Sequence, residues 1–148
     1  MINIVKVQEH HLPAILRLER QCFTLPWSEN SFRFEMESPD AHFAAAEEAG
    51  ELLGFCIMHR MCDEGEIFNV AVSPEKRRLG VGNALIKDAL CAAKRMGVKR
   101  LFLEVRKSNE IARRLYEKNG FSVCGVRKNY YDAPKEDAIL MDAELPLR

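Results

Sequence analysis

The chain has no Cys-x-x-Cys pair, no long apolar run and no excess of either charge, and each absence closes off a class of function. Its five cysteines (Cys22, Cys56, Cys62, Cys91 and Cys124) are an odd number without paired spacing. That excludes a disulfide framework and a zinc ribbon, and it predicts reduced thiols, mostly packed as small apolar side chains. The four histidines, His10, His11, His42 and His59, lack metal-ligand spacing, so no metal is expected and the adjacent pair reads as a helix start. The longest apolar run, Leu52 to Met58, is far short of the ~20 residues that span a bilayer. The opening Met1-Ile2-Asn3-Ile4-Val5-Lys6-Val7 is too short an apolar stretch for a signal peptide, and a cytosolic protein is expected. There is no repeat, low-complexity tract or linker, so residues 1–148 are expected to form a single domain. Hydrophobic residues at 47% and charged residues at 30% are ordinary for a globular chain, and this length buries roughly 70% of the unfolded surface.

The zero net charge hides an asymmetry. Residues 28–66 hold two basic and ten acidic residues, while residues 73–118 hold thirteen basic and five acidic ones. Such blocks are either solvated faces or two binding surfaces, a basic one for a polyphosphate and an acidic one for a cationic partner. Nucleic acid is not expected, because the basic block lacks interleaved aromatics and is interrupted by an apolar helical face.

Periodicity predicts alternating elements. Ile2, Ile4 and Val7 suggest a strand, and His11 to Phe23 carries a helical stripe with Pro13 in its first turn. Ser28 caps a second helix through Met36, which Ser38-Pro39 stops. Strands follow over His42–Glu47, Leu52–Met61 and Glu66–Val72, then a helix over Gly82–Met96 ended by Gly97. A strand over Arg100–Arg106, a helix over Asn109–Asn119 and two strands, Phe121–Tyr131 and Asp137–Leu145, complete the chain. The order β-α-α-β-β-β-α-β-α-β-β predicts an α/β fold, a mixed sheet with helices on both faces.

Arg77-Arg78-Leu79-Gly80-Val81-Gly82 stands between a strand and a long amphipathic helix. Glycines let backbone approach a ligand, free N–H groups at a helix start bind anions, and arginines supply charge and planar donors. The sequence therefore proposes a pyrophosphate cradle. It is not a nucleotide-hydrolysing P-loop, since no Gly-Lys-Ser/Thr follows, and not a dinucleotide fingerprint, since position 85 is Leu where a third glycine belongs.

A second cluster lies in Leu101-Phe102-Leu103-Glu104-Val105-Arg106. Alternation turns Leu101, Leu103 and Val105 to one side and Phe102, Glu104 and Arg106 to the other. Glu104, a carboxylate among apolar neighbours, is either an ion-paired structural residue or a base made more competent by partial burial. Tyr116 in the next helix is either a core tyrosine or a proton donor, and Asn109 reads first as a helix N-cap.

Phe68-Asn69-Val70-Ala71-Val72, the Arg77–Gly82 run, Leu103-Glu104-Val105-Arg106 with Ser108-Asn109, and Leu115-Tyr116-Glu117-Lys118-Asn119-Gly120-Phe121 together resemble the GCN5-related N-acetyltransferases. The resemblance covers essentially the whole chain. It implies a mixed, mostly antiparallel sheet of about seven strands and acetyl transfer from acetyl-CoA to an amine. Pro26-Trp27-Ser28 and Arg127-Lys128-Asn129-Tyr130-Tyr131 followed by Glu136-Asp137-Ala138 are nearest to the members that acetylate the N-terminal alanine of a ribosomal protein. Asp132-Ala133 departs from that pattern, where a proline is expected, and puts the local loop shape in question.

The resemblance implies that Arg77, Arg78, Leu79, Gly80, Val81, Gly82 and Asn83 hold the CoA pyrophosphate. Backbone of Val70, Ala71 and Val72 then pairs with the pantetheine arm, Asn109 reaches the cofactor, Glu104 is the base and Tyr116 lies beside the sulfur. The ribosomal-protein N-terminal peptide is the implied substrate, with no membrane, nucleic acid or metal, and the chain is expected to act as a monomer. An acetyltransferase for lysine or a small amine, and a non-catalytic acyl-CoA-binding protein, stay open as alternatives. Glu35, Glu37, Asp40, Glu64 and Glu66 are candidates to meet a basic acceptor. Trp27 is expected to staple the second helix or line the peptide groove. Tyr130 and Tyr131 are expected on opposite faces of a strand, so that at most one reaches substrate.

Overall fold

The structure is a computed structural model, which describes residues 1–146. Its single seven-stranded sheet contains β1 (Asn3–Lys6), β2 (Ala41–Glu48), β3 (Glu51–Met61), β4 (Glu64–Val72), β5 (Arg100–Arg106), β6 (Ser122–Tyr131) and β7 (Glu136–Glu144). The helices are α1 (Leu12–Cys22), α2 (Glu29–Glu37), α3 (Val81–Arg95) and α4 (Glu110–Lys118). The spatial order is β1-β2-β3-β4-β5-β7-β6, and every neighbouring pair is antiparallel except β4 and β5. Element order and sheet character agree with the reading of the sequence.

Local chemistry explains the boundaries. The β2–β3 hairpin turns on Ala49 and Gly50, both with positive φ, the backbone that matches the twist of flanking strands. Ser28 Oγ accepts the Ser31 N–H at 3.2 Å and caps α2. Trp27, just before that cap, packs on Phe32 at 5.4 Å between ring centroids, which is the staple.

The sheet carries a core on each face. Phe32 from α2 and Ile15 and Leu18 from α1 pack with Phe43, Phe55 and Ile57 on one face. Leu85, Ile86 and Ala89 from α3 and Tyr116 from α4 pack with Met58, Leu101, Leu103 and Val105 on the other. Glu19 of α1, almost fully buried, ties the first layer to the sheet. It accepts the Trp27 N–H at 2.9 Å and the Asn69 side-chain amide at 3.1 Å, so α1, the loop after it and β4 share one carboxylate. Among the described residues no helix is long and apolar enough to cross a membrane.

The expectation for the cysteines is only partly met. Cys56 is buried and Cys22 half-buried, but Cys62, Cys91 and Cys124 are exposed. Each of the three sits where the fold turns outward: Cys62 in the β3–β4 turn, Cys91 on the outer side of α3, and Cys124 at a register shift of the edge strand β6. The histidine pair does start the helical region, and the fold brings ligand atoms of His10, His11 and Glu47 within 4.8 Å of one another, which spacing in the sequence does not indicate. His11 Nδ1 accepts the Gln8 N–H at 2.9 Å, so its Nε2 carries the proton given to Glu47 at 2.9 Å.

Candidate active site

The sheet opens where β4 and β5 run parallel. They pair only over Glu64–Ile67 with Arg100–Leu103 and separate beyond. A register shift between Ile57 and Met58 of β3, opposite Phe68, bends β4 at that point. Beyond the bend, Ser73 donates its N–H to the Leu53 carbonyl at 2.8 Å. Backbone direction alternates along an antiparallel strand, so Ala71 also faces β3, whereas Val70 and Val72 turn their N–H and C=O groups into the gap. Of the three backbone positions named from the sequence, two thus face the opening and Ala71 does not, because its groups belong to the β3 ladder.

The gap leads to the start of α3. Arg78 (φ 70°) and Gly80 (φ 84°) both take left-handed backbone, and Gly80 is the N-cap of α3. Ala84 donates its N–H to the Gly80 carbonyl at 3.0 Å, so the N–H groups of Val81, Gly82 and Asn83 precede the helical ladder and point out of its end. A Cβ at Gly82 would come within 3.1 Å of Leu115 Cδ2 and 3.7 Å of Val72 Cγ2, so glycine lets α3 close on α4 and on the end of β4. The helix begins one residue earlier than periodicity indicates, because Val81 is already buried and helical while Gly80 supplies the turn. Arg77 and Arg78 are exposed beside this end, and Arg77 Nη2 lies 3.7 Å from Cys22 Sγ, whose thiol points at the Val72 carbonyl. Leu79 is exposed and contributes backbone only. The Asn83 side chain accepts from Asn119 at 3.0 Å, which pins α3 to α4 and leaves its N–H for the cradle. Such a bent backbone with free amides and flanking guanidiniums fits a diphosphate.

Glu104 and Tyr116 lie on opposite faces of the sheet, Glu104 one position beyond the last β5 residue paired with β4. Glu104 stands on the Phe102 face of β5, half-buried. Tyr116, 8% exposed, packs with Leu103 and Val105 on the other face, its ring edge-on to Phe121. Burial raises the Tyr116 phenol well above its ordinary value, with Cys56 and Tyr131 adding to the effect, so it is protonated at neutral pH. Asn109 is the N-cap of α4 as expected, accepting the Ala112 N–H at 3.2 Å, at the β5–α4 junction beside the gap.

The tyrosine pair corrects an expectation. Tyr130 and Tyr131 do not face apart: their ring centroids are 5.2 Å apart and both phenols are raised by the charge of Glu104, Tyr131 to about 12 chiefly by burial. The reason is the backbone. Asn129 has φ 52° and accepts a register shift between Arg127 and Tyr131, which breaks the alternation on which the expectation rests. Glu66 on β4 joins this group, its carboxyl raised by burial and then by Glu104. Arg127 Nε stands 3.5 Å from Glu104 Oε1, and its guanidinium lies 5.6 Å from the Tyr130 centroid. Sequence reading named Glu66 only as one acid of a block and gave Arg127 no role, since neither the parallel register nor the β6 irregularity shows in spacing.

Other acidic candidates are committed elsewhere. Glu35 is buried against His59 at 2.8 Å and Asp40 holds Arg60 at 2.7 Å, while Glu37 and Glu64 are exposed. Arg106 clamps the loop before β7, donating to the Asp132 and Pro134 carbonyls at 3.0 and 2.8 Å and stacking on Tyr131 at 4.4 Å. That clamp shapes the Asp132-Ala133 segment. Trp27 lines a shallow pocket with Asn30, Ser31, Phe34 and Glu35, so it both staples α2 and borders a groove.

Residues 12–121 match the model of the acetyltransferase (GNAT) family. A Bacillus subtilis protein provisionally named a [ribosomal protein bS18]-alanine N-acetyltransferase is 40% identical over 128 residues, covering 86% of this chain and 85% of its own. The Escherichia coli K12 [ribosomal protein bS18]-alanine N-acetyltransferase is 36% identical over 143 residues, 95% of this chain and 96% of its own. The crystal structure of the ribosomal-protein-S18-alanine N-acetyltransferase from Escherichia coli superposes with a TM-score of 0.90 at 33% identity, covering 100% of this chain and 96% of that one.

Proposed function

The chain belongs to the acetyltransferase (GNAT) family, and from that premise we propose that it acetylates the N-terminal α-amine of alanine on a ribosomal protein, bS18 in its relatives, with acetyl-CoA as donor. What supports the reading is the gap where β4–β5 pairing ends after Ile67 and Leu103, one residue before Glu104, with the free amides of the α3 start following β4 and Tyr116 packed on the opposite face of the sheet.

Acetyl-CoA supplies an acyl group activated as a thioester. The N–H groups of Val81, Gly82 and Asn83, with Arg77 and Arg78 alongside, hold its diphosphate. Val70 and Val72 offer backbone bonds to its amide-bearing arm, and the Val72 N–H stabilises negative charge that develops on the carbonyl oxygen. An α-ammonium has a pKa of about 7.7–8.0 and is mostly protonated at neutral pH, so attack requires a base. Glu104, directly or through water, takes that proton at a carboxylate oxygen. Tyr116, kept protonated by burial, gives its phenolic proton to the departing thiolate. Nothing in the sequence of steps needs a cysteine nucleophile or a metal. All the groups lie on one chain, which supports a monomer, and a ribosomal substrate supports a cytoplasmic location.

The test is incubation of the protein with acetyl-CoA and an alanine-headed peptide of the ribosomal acceptor, read by tandem mass spectrometry. The reading predicts one acetyl group on the α-amine. Acetylation confined to lysine or polyamines, or no product with any amine, would replace it by one of the alternatives.

A further inference from the structure

Neither the fold nor the chemistry above uses Arg127, although it stands over the base. It rises from β6, the edge strand of the sheet, where its cross-strand partner on β7 is the small Ala138 and the next position across is Arg106. From there its side chain spans β7 diagonally to bring Nε within 3.5 Å of Glu104 Oε1. The guanidinium lies over the Tyr130 ring, and its charge also acts on Glu66 of β4, whose partner on β5 is Phe102. Two carboxylates and an aromatic face form a place for a cation. In the free protein that place holds the chain's own guanidinium.

An acceptor arrives as an ammonium and must reach the same carboxylate. Two cations on one carboxylate repel each other, so the Arg127 guanidinium, 3.5 Å from Oε1, competes with an incoming ammonium for Glu104. Arg127 is 57% exposed and sits on an edge strand, so its head can leave the site for solvent without disturbing the core. We propose that Arg127 is a built-in competitor for the acceptor, filling the ammonium place formed by Glu66, Glu104 and Tyr130 until the α-ammonium of the peptide displaces it. The role is one of gating: Arg127 sets how much binding energy a cationic acceptor must bring before the base is released. The inference rests on the reading of Glu104 as the proton acceptor.

A calorimetric titration tests it. An alanine-headed peptide and its N-acetylated twin are titrated into CoA-saturated wild type, Arg127→Gln and Arg127→Lys. An exposed ion pair of this kind corresponds to roughly a two- to five-fold change in affinity. Arg127→Gln should bind the free-amine peptide about that much more tightly, Arg127→Lys should follow wild type because it keeps the cation, and the acetylated twin should bind all three alike. Weaker or equal binding by Arg127→Gln, or the same gain for the acetylated twin, overturns the proposal. If wild type binds the peptide but fails to acetylate it, the proposed function falls, and the titration still decides whether Arg127 competes.

Discussion

Glu104 and Tyr116 stand on opposite faces of the sheet, and only a break in the sheet lets one ligand touch both. Their tests separate chemistry from packing. Glu104→Gln keeps the shape and hydrogen-bonding reach of the side chain and removes its basicity. Turnover should fall by about 10²- to 10⁴-fold while the calorimetric affinity for acetyl-CoA stays at the wild-type level. Tyr116→Phe deletes one oxygen from a well-packed ring. Urea denaturation should find stability within about 1.5 kcal/mol of wild type, since the packed ring stays in place and at most one hydrogen bond is lost. Steady-state rates should nonetheless fall by about 10²-fold. Wild-type turnover would reduce Tyr116 to a core residue. The identity of these two groups was readable from residue types around an apolar strand and helix. Whether one ligand can touch both was not, because it depends on where the β4–β5 pairing stops.

The α3 start shows how much an element can be read from its ends. The glycines and arginines announce a strand-loop-helix junction, and the structure has one, its helix starting a single residue earlier because Val81 already belongs to the core. Gly80 is the position where backbone conformation and proposed binding coincide. Gly80→Ala has room for a methyl group but keeps φ 84°, a conformation that costs an L-residue about 1–2 kcal/mol. Denaturant curves should register a loss of that order, and acetyl-CoA should bind more weakly by calorimetry as the turn relaxes away from the cradle. Unchanged binding would show that the free amides do not grip the donor. The β6 strand gives the opposite lesson. Its pairing already slips at Cys124, and Asn129 then takes left-handed backbone that no periodicity reports, which brings both tyrosines to one side.

At the scale of the whole molecule, two helical layers cover a sheet, and several acids of the acidic block are committed to internal partners, including Glu35 and Asp40. The acidic block of the sequence therefore overstates the free binding surface, since spacing cannot tell a paired carboxylate from a solvated one. Glu66 has burial and a like charge as its surroundings, and its folded carboxyl is held above the ordinary 4.5. The folded protein thus binds this proton more strongly than the unfolded chain. The group's favourable contribution is complete below about pH 4.5 and is lost as pH rises through the folded value. Glu66→Gln cannot ionise, so its stability relative to wild type should climb across that window and then level off. Urea titrations at a series of pH values measure this difference, and a flat one would mean that Glu66 is solvated.

The parted strands have a wider consequence. Val70 and Val72 turn ladder groups away from β3 where no strand pairs with them, like rungs sawn through on one side. If the donor's amide arm supplies the missing half, an incoming small molecule becomes, for the lifetime of the complex, an eighth strand. Loading the donor and finishing the architecture are then the same event, and an acceptor meets a continuous wall only when there is an acetyl group to receive.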